Sequence, residues 1–177
     1  MTDTQWPKFE VFLMEEPGDP PEHVGSVHAP DAEMALLNAR DVFGRRPSCA
    51  GLWVAPSELV VFRTAAEMNA DERTARSAGP EEPAYLVFRK RSHKGALELS
   101  DRLPGATPDD ALRFAAALHQ DKQTVMWAVA PEAAFVRSTD EERLAFFEPA
   151  VSKTYKTHSE YKPEARLLEI RRARGHR

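Results

Sequence analysis

An internal repeat constrains the fold of this 177-residue chain more than any other feature of its sequence. Three short segments recur in the same order, 75 or 76 positions later: residues 9–12 at 85–88, residues 35–36 at 111–112, and residues 54–56 at 129–131. Because the three matches keep both their order and their spacing, the sequence predicts two copies of one supersecondary unit.

Alternating side chains predict the strands of the first copy. Residues 6–14 are apolar on both alternating faces, which is typical of a strand that is covered on both sides. Residues 23–29 alternate like a second strand, although their apolar side is ambiguous. Residues 52–55 and 59–62 are rich in β-prone side chains, and the proline between them interrupts the pairing, so either one bent strand or two short ones are expected.

A helix is predicted between the second and third of these strands. Apolar residues recur at three- and four-residue spacing from position 32 to 43, which forms one stripe of an amphipathic helix. Pro30 is expected in its first turn, with Asp31 beside the positive end of the helix dipole. Gly44 is expected to end the helix in a left-handed conformation. The first copy is therefore predicted to run strand, strand, helix, strand.

The second copy repeats this order, so the predicted fold class is α+β, a tandem duplication of a ββαβ unit. Residues 97–103 alternate like a strand, and Thr107 and Pro108 form a strong helix start. Small antiparallel or mixed sheets, each covered by one helix, are expected to face each other about a pseudo-twofold axis. A C-terminal arm and a short helix at residues 163–174 have no counterpart in the first copy.

Changes in composition predict four segments. Residues 64–83 contain few large apolar side chains and end in glycine and proline, which is typical of a linker. The predicted segments are repeat one at 1–63, the linker at 64–83, the diverged repeat two at 84–138, and an aromatic arm with a basic tail at 139–177.

Composition also restricts the class of protein. The net charge of −4 argues against a nucleic-acid binder. Cys49 is the single cysteine, which excludes an intrachain disulfide and a cysteine-rich metal cage. No stretch approaches the roughly 18 apolar residues of a membrane span, and no apolar run follows a basic amino terminus. We therefore expect a cytoplasmic protein without membrane or nucleic-acid partners.

Sequence motifs that would carry catalysis are missing. The sequence has no Glu-x-x-His of the di-iron type, no Cys pair beside its scattered histidines, no phosphate-binding glycine loop and no Gly-x-Ser-x-Gly elbow. His23 and His28 are expected to point to opposite faces of their strand, and Cys49 is interpreted as an ordinary loop cysteine. We predict no catalytic, cofactor-binding or metal-binding residues, and no cofactor.

The polar face of the first helix allows two interpretations. Its outward side chains include Glu33, Asn38, Arg40 and Asp41, followed by Arg45 and Arg46. The simpler interpretation is a solvated face with ion pairs worth a few tenths of a kcal/mol each. The alternative is a surface that docks on another protein. Near the C-terminus, adjacent Phe146 and Phe147 indicate an arm that is anchored either on the chain's own core or on a partner.

Several of these segments, in their order and spacing, point to one family. They are Trp6-Pro7, residues 9–12, residues 23–29 (HVGSVHA), residues 31–42 with their NARD sequence, Arg45-Arg46 and Trp53-Val54, and near the end residues 146–150 (FFEPA), Ser152-Lys153 and Tyr155. Together they resemble PaaB, the B subunit of the ring-1,2-phenylacetyl-CoA epoxidase. Members of this family are usually a single short unit, whereas the second unit here lacks the HVGS and NARD motifs.

The resemblance implies a non-catalytic accessory subunit of a multicomponent di-iron monooxygenase in aerobic phenylacetate degradation. In that complex an A subunit carries the di-iron centre, a C subunit is its structural partner, and an E subunit is a flavin and iron–sulfur reductase. The B subunit is thought to bridge A–C pairs, so the A and C subunits are the implied partners. The candidate partner interface comprises His23, His28, Asn38, Arg40, Asp41, Arg45, Arg46, Trp53, Phe146, Phe147 and Tyr155.

Two other classes of function stay open on the sequence alone. One is a stand-alone duplicated α+β domain that binds a small molecule or regulates between its copies, and the other is an enzyme whose site spans the cleft. Co-purification with di-iron proteins favours the accessory subunit, tight binding of a metabolite favours the second class, and turnover by the isolated chain favours the third. The basic tail at 171–177 is interpreted as solvated, and the alternative is contact with nucleic acid or with the phosphates of CoA.

Overall fold

The computed structural model describes residues 6–44, 49–70, 82–119, 123–139, 141–142 and 146–147. The strands in these ranges are β1 (Lys8–Met14), β2 (Glu22–His28), β3 (Gly51–Pro56), β4 (Val61–Thr64), β5 (Ala84–Lys90), β6 (Leu97–Pro104), β7 (Met126–Pro131) and β8 (Val136–Arg137). The helices are α1 (Ala32–Phe43), α2 (Ala65–Ala70) and α3 (Pro108–His119), with single-turn 3₁₀ helices at Ser57–Leu59 and Glu132–Ala134. The fold class is α+β, as predicted.

All eight strands belong to one antiparallel sheet in the order β4-β7-β5-β6-β2-β1-β3-β8. This corrects the prediction of separate small sheets, antiparallel or mixed. The last strand of each half pairs with the other half, since β4 lies beside β7 and β8 beside β3. The chain leaves β3 at Pro56 and β7 at Pro131 through a 3₁₀ turn, and this change of direction separates β4 and β8 from the strands that precede them.

One irregularity recurs in both halves and changes where side chains point. The register shifts after Val11 on β1 and after Val87 on β5. His23 pairs with Phe12, and His28 pairs with the residue four positions earlier on β1, so the extra residue of the bulge places both histidines on one face. The prediction that they point to opposite faces is therefore wrong.

Helix α1 has the predicted extent but differs in its terminal contacts. Asp31 is its N-cap, where Oδ1 accepts a hydrogen bond of 2.8 Å from the backbone N–H of Met34, and Pro30 lies before the cap. Gly44 ends the helix with a φ of −80°, which is not the expected left-handed conformation. Glycine is required here for steric reasons instead, because a Cβ at position 44 would lie only 2.9 Å from the carbonyl oxygen of Arg40.

The two faces of the sheet are buried differently. Helix α1 packs on one half of the sheet around Val11, and α3 packs on the other half around Val87. A third apolar cluster joins side chains of both halves on the opposite face, and Phe12 and Phe88 are fully buried in it. The core therefore extends through both halves of the chain.

The distance between Phe12 and Phe88 shows that the sheet is strongly curved. Their strands, β1 and β5, are three strand spacings apart in the sheet order, which would be about 14 Å in a flat sheet. The ring centroids nevertheless lie 4.3 Å apart. The face without helices is therefore concave, and we refer to it below as the concave face.

Gly25 in β2 is required by both backbone conformation and close packing. Its φ is +144°, and a Cβ there would lie 3.0 Å from Cζ of Phe43 in the last turn of α1. We expect Gly25→Ala to lower the free energy of unfolding by about 1–3 kcal/mol, because alanine is strained at this φ and displaces the ring. Urea denaturation measures the loss.

Gly18→Ala is the matched control for this prediction. Gly18 also has a positive φ, +96°, but a Cβ there would meet nothing within 4 Å. Its substitution should therefore cause only the backbone part of the loss, and equal losses for both variants would contradict the role of Phe43.

In the second half, Asp101 and His119 occupy the positions that correspond to Gly25 and Phe43. A 2.6 Å hydrogen bond between them keeps the contact between strand and helix.

Candidate functional site

A shallow depression of about 360 Å³ lies between β2 and α1. It is lined by Ser26, Val27 and His28 of β2 and by Asn38, Asp41 and Val42 of α1. The fold thus brings His28, Asn38 and Asp41, three residues of the predicted interface, to one place. Polar groups next to the exposed Val42 give this corner the mixed chemistry of a contact surface.

Hydrogen bonds fix the geometry of this corner. The Asn38 side-chain Nδ2 donates to the carbonyl oxygen of His28 at 3.1 Å. His28 in turn donates from Nδ1 to the carbonyl oxygen of Trp6 at 2.8 Å. These two bonds connect α1, the end of β2 and the segment before β1, so the surface is held in place by three parts of the chain.

His23 lies away from the depression, in a polar cluster on the concave face. Its Nε2 is 2.7 Å from Oε2 of Glu10, which is only 3% exposed. Ser57 donates to Oε1 of Glu10 at 2.6 Å, and Nζ of Lys8 lies 2.8 Å from the same oxygen. Burial alone would raise the pKa of Glu10, but these partners together outweigh it and lower the pKa to about 2. Glu10 is therefore an ionised, almost fully buried carboxylate at neutral pH.

Glu10 is the main polar residue that sequence reasoning did not single out. A signal was present, since Glu10 is the only charged residue in the apolar run of residues 9–14. The second copy has Leu86 at the same place, and it has Leu99 where the first copy has His23. The polar cluster therefore belongs to the first half of the chain.

Arg40 connects α1 to the C-terminal aromatic pair. Its guanidinium carbon lies 5.3 Å from the ring centroid of Phe146, and its Nη2 donates to Oδ1 of Asp41 at 2.9 Å. Phe147 is 5% exposed and belongs to the same apolar cluster as the buried face of α1. The aromatic pair is thus anchored on the chain's own core, and Phe147 has little surface left to offer a partner.

Trp53 is separate from both groups. It is half-buried on β3, contacts Phe135 with a centroid distance of 6.0 Å, and has the guanidinium of Arg137 4.2 Å from its ring centroid. These contacts join the two halves of the chain on the concave face. The remaining residues of the predicted interface, Arg45, Arg46 and Tyr155, lie outside the described residues.

The described ranges contain no group of three or more His, Cys, Asp or Glu side chains that could hold a metal ion. Cys49 is buried, and this burial raises the pKa of its thiol to about 11, so the thiol stays protonated at neutral pH. None of the described helices has the length and hydropathy of a transmembrane segment.

Comparison with known proteins identifies a family for the amino-terminal part of the chain. Residues 5–77 match the family PaaB, phenylacetic acid degradation B. Over 61 residues the chain is 43% identical to the B subunit of the 1,2-phenylacetyl-CoA epoxidase of Escherichia coli (strain K12), a match that spans 34% of this chain and 64% of that protein. No solved structure gives a significant match. The matched residues include β1, β2 and α1, so the amino-terminal part of the chain is similar to the PaaB family.

Proposed function

We propose that the chain is a non-catalytic accessory subunit of a ring-1,2-phenylacetyl-CoA epoxidase, a multicomponent di-iron monooxygenase of aerobic phenylacetate degradation. It would act through contacts with the catalytic A subunit and the structural C subunit. The observation that carries the proposal is the match of residues 5–77 to PaaB, together with a relative that is named as the B subunit of such an epoxidase. The isolated chain is expected to have no epoxidase activity.

We also infer that the chain is a tandem duplication whose halves are related by a pseudo-twofold axis between β2 and β6. Three features support this inference. The same element order occurs twice, and β1 and β5 carry the same register shift. If β1–β4 are exchanged with β5–β8, the strand order of the sheet is the same when it is read from the other end. One chain would then take the place of two single-unit subunits. The proposed units keep the boundaries expected from the sequence, except that β4 extends one residue into the linker, which contains α2.

The docking surface that we propose is the α1 surface, defined by His28, Asn38, Arg40 and Asp41. The positions of α3 that correspond to the three α1 residues carry Phe114, Ala116 and Ala117. The polar surface thus has no equivalent in the second half, which supports a single docking site in the half that matches PaaB. Arginine residues often contribute strongly to interface energies.

Arg40→Glu is expected to weaken assembly with the A and C subunits by about tenfold or more. The substitution reverses the charge on the α1 surface and removes the cation–π contact with Phe146. Co-elution with the two subunits in size-exclusion chromatography, over a range of concentrations, measures the change. Circular dichroism of the variant checks that the fold is retained.

Arg102→Glu is the matched control, because Arg102 is an exposed arginine of the second half that is paired with Glu132 at 2.7 Å. This variant also loses one ion pair, and it should assemble like the wild type. Normal assembly and normal epoxidase turnover with Arg40→Glu would contradict the docking role. A wild-type chain that never co-elutes with epoxidase subunits would contradict the proposed function itself.

A further inference from the structure

Most of one edge of β2, in the middle of the sheet, has no neighbouring strand among the described residues. Its pairing with β6 is limited to Glu22 opposite Glu98, with one further hydrogen bond of 3.0 Å from the Leu99 N–H to the Pro21 carbonyl. From His23 to His28, β2 pairs only with β1 among the described residues. Such an edge offers unpaired backbone groups to another strand.

The hydrogen-bond pattern identifies which backbone groups face this open side. The Ala29 N–H donates to the Pro7 carbonyl at 3.1 Å, so Val27, two residues earlier in the antiparallel ladder, also bonds toward β1. The N–H and C=O of Ser26 and the N–H of His28 therefore point to the open edge. The His28 carbonyl already accepts a side-chain hydrogen bond from α1.

The depression described above includes this edge. Consecutive strand residues point to opposite faces, so a depression that is lined by Ser26, Val27 and His28 together must run along the edge of the strand. Helix α1 borders the depression with Val42, which is 58% exposed. A strand added here would have α1 over one of its faces and an apolar side chain to pack against.

Acidic side chains lie at both ends of the edge. Glu22 is directly opposite Glu98, and like charges in that position destabilise a sheet. Burial, and then the carboxylates of Glu98, Glu15 and Asp19, raise the pKa of Glu22 above its ordinary value. At the other end, Asp41 borders the depression with 65% of its side chain exposed. Asp41 is already paired with Arg40 at 2.9 Å, so basic side chains on an added strand would mainly complement the charge of Glu22 and Glu98.

The equivalent edge in the second half is blocked. Pro104 corresponds to His28 and has no N–H to donate, and Arg102 corresponds to Ser26 and is paired with Glu132. Proline and charged side chains are common means by which proteins prevent pairing at a sheet edge. The β2 edge has neither at these positions, so of these two equivalent edges only that of β2 can be extended.

We propose that an extended, basic segment of a partner protein binds to β2 as an additional strand, with its backbone paired to Ser26 and His28. On its side toward α1, such a segment carries an apolar side chain that packs on Val42 and, two residues away on the same face, lysine or arginine side chains that lie near Glu22 and Asp41. This inference rests on the proposed function only for the identity of the partner, an epoxidase subunit.

The first experiment uses the full chain and two short strand-forming peptides. Both carry a valine on the face toward α1, and the neighbouring positions of that face are lysine in one peptide and glutamate in the other. Amide hydrogen exchange is followed by NMR at Ser26, with Val27 as an internal reference because its amide bonds to β1. The lysine peptide should slow exchange of the Ser26 amide by about tenfold or more, and the glutamate peptide should not. Equal effects of the two peptides, or no effect of either, would overturn the proposal.

A pair of variants then separates backbone pairing from side-chain contact. His28→Pro copies the residue that β6 carries at the equivalent position, and His28→Ala removes the same side chain but keeps the N–H. His28→Pro should bind the lysine peptide about tenfold more weakly than His28→Ala, which is the effect of one lost hydrogen bond. Equal affinities in two folded variants would overturn the proposal.

Exchange in the free chain distinguishes the other possible occupants of the edge. We expect the Ser26 amide to exchange faster than the Val27 amide at every protein concentration. Slow exchange in dilute solution would assign the edge to another segment of this chain, and slowing with concentration would assign it to a second copy, and either would overturn the proposal. Expected peptide results without co-elution of epoxidase subunits would overturn the proposed function alone.

Discussion

Phe12→Ala is expected to lower the free energy of unfolding by about 3–5 kcal/mol, the loss that is typical of truncating a buried phenylalanine. Phe12 is fully buried, and its ring centroid lies 4.3, 5.4 and 5.3 Å from those of Phe88, Phe135 and His23. The side chain therefore occupies the place on the concave face where the two halves meet. Urea denaturation followed by circular dichroism measures the loss.

Phe88→Ala tests whether this loss comes from contact between the halves. Phe88 is also fully buried, and truncations of two residues in contact should show a coupling energy of about 0.5–3 kcal/mol in a double-mutant cycle. Leu37→Ala, on the exposed face of α1, is the control and should change stability by no more than about 0.5 kcal/mol. Additive losses for Phe12 and Phe88 would show that their contact does not join the halves.

Glu10→Leu is expected to lower the free energy of unfolding by about 3 kcal/mol, because it removes a buried, ionised acceptor and leaves its half-buried polar partners without it. These partners are His23 and Ser57, which lie 2.7 and 2.6 Å from the carboxylate oxygens. The second half carries Leu86 and Leu99 at the positions of Glu10 and His23. The double variant Glu10→Leu/His23→Leu should therefore recover part of the loss, and a double variant that is no more stable than Glu10→Leu would argue against this account.

The same carboxylate predicts a loss of stability in acid. The pKa of Glu10 is about 2 in the folded protein, against an ordinary value of 4.5. Its ionised form therefore stabilises the fold above pH 4.5, and this stabilisation, on the order of 3 kcal/mol, is lost as the pH falls toward 2. The free energies of unfolding of the wild type and of Glu10→Gln are compared from about pH 6 downward, and their difference should shrink as the pH falls. A difference that does not change with pH would refute this role of the Glu10 carboxylate.

Local patterns predicted the elements of this fold but not their pairing. Helical and alternating periodicity located α1, α3 and most strands, because these periods follow from backbone geometry. The partner of a strand is a long-range choice, and nothing within residues 59–62 indicates that β4 pairs with β7. The bulge at Val24 of β2 is also absent from the alternation of the sequence, which is why the predicted relative orientation of His23 and His28 is wrong.

The candidate site was predictable where it depends on one element. Helical spacing placed Asn38, Arg40 and Asp41 on the polar side of α1, but their approach to His28 depends on how α1 packs on β2. The partners of Glu10 are 13 and 47 positions away in the chain, on a different strand and in the turn after β3. No local pattern could assemble that cluster, although a lone carboxylate in an apolar strand marks where to look.

The crossing of β4 and β8 between the halves affects how the chain acquires its structure during synthesis. Trp53 of β3 pairs with Arg137 of β8, and Phe62 of β4 pairs with Ala128 of β7. Strands β3 and β4 of the first half therefore pair with strands that the ribosome synthesises much later. Contacts of such long sequence separation slow folding. The amino-terminal half should therefore leave the ribosome incompletely folded, with strand edges exposed to chaperones, until the residues of β7 and β8 have emerged.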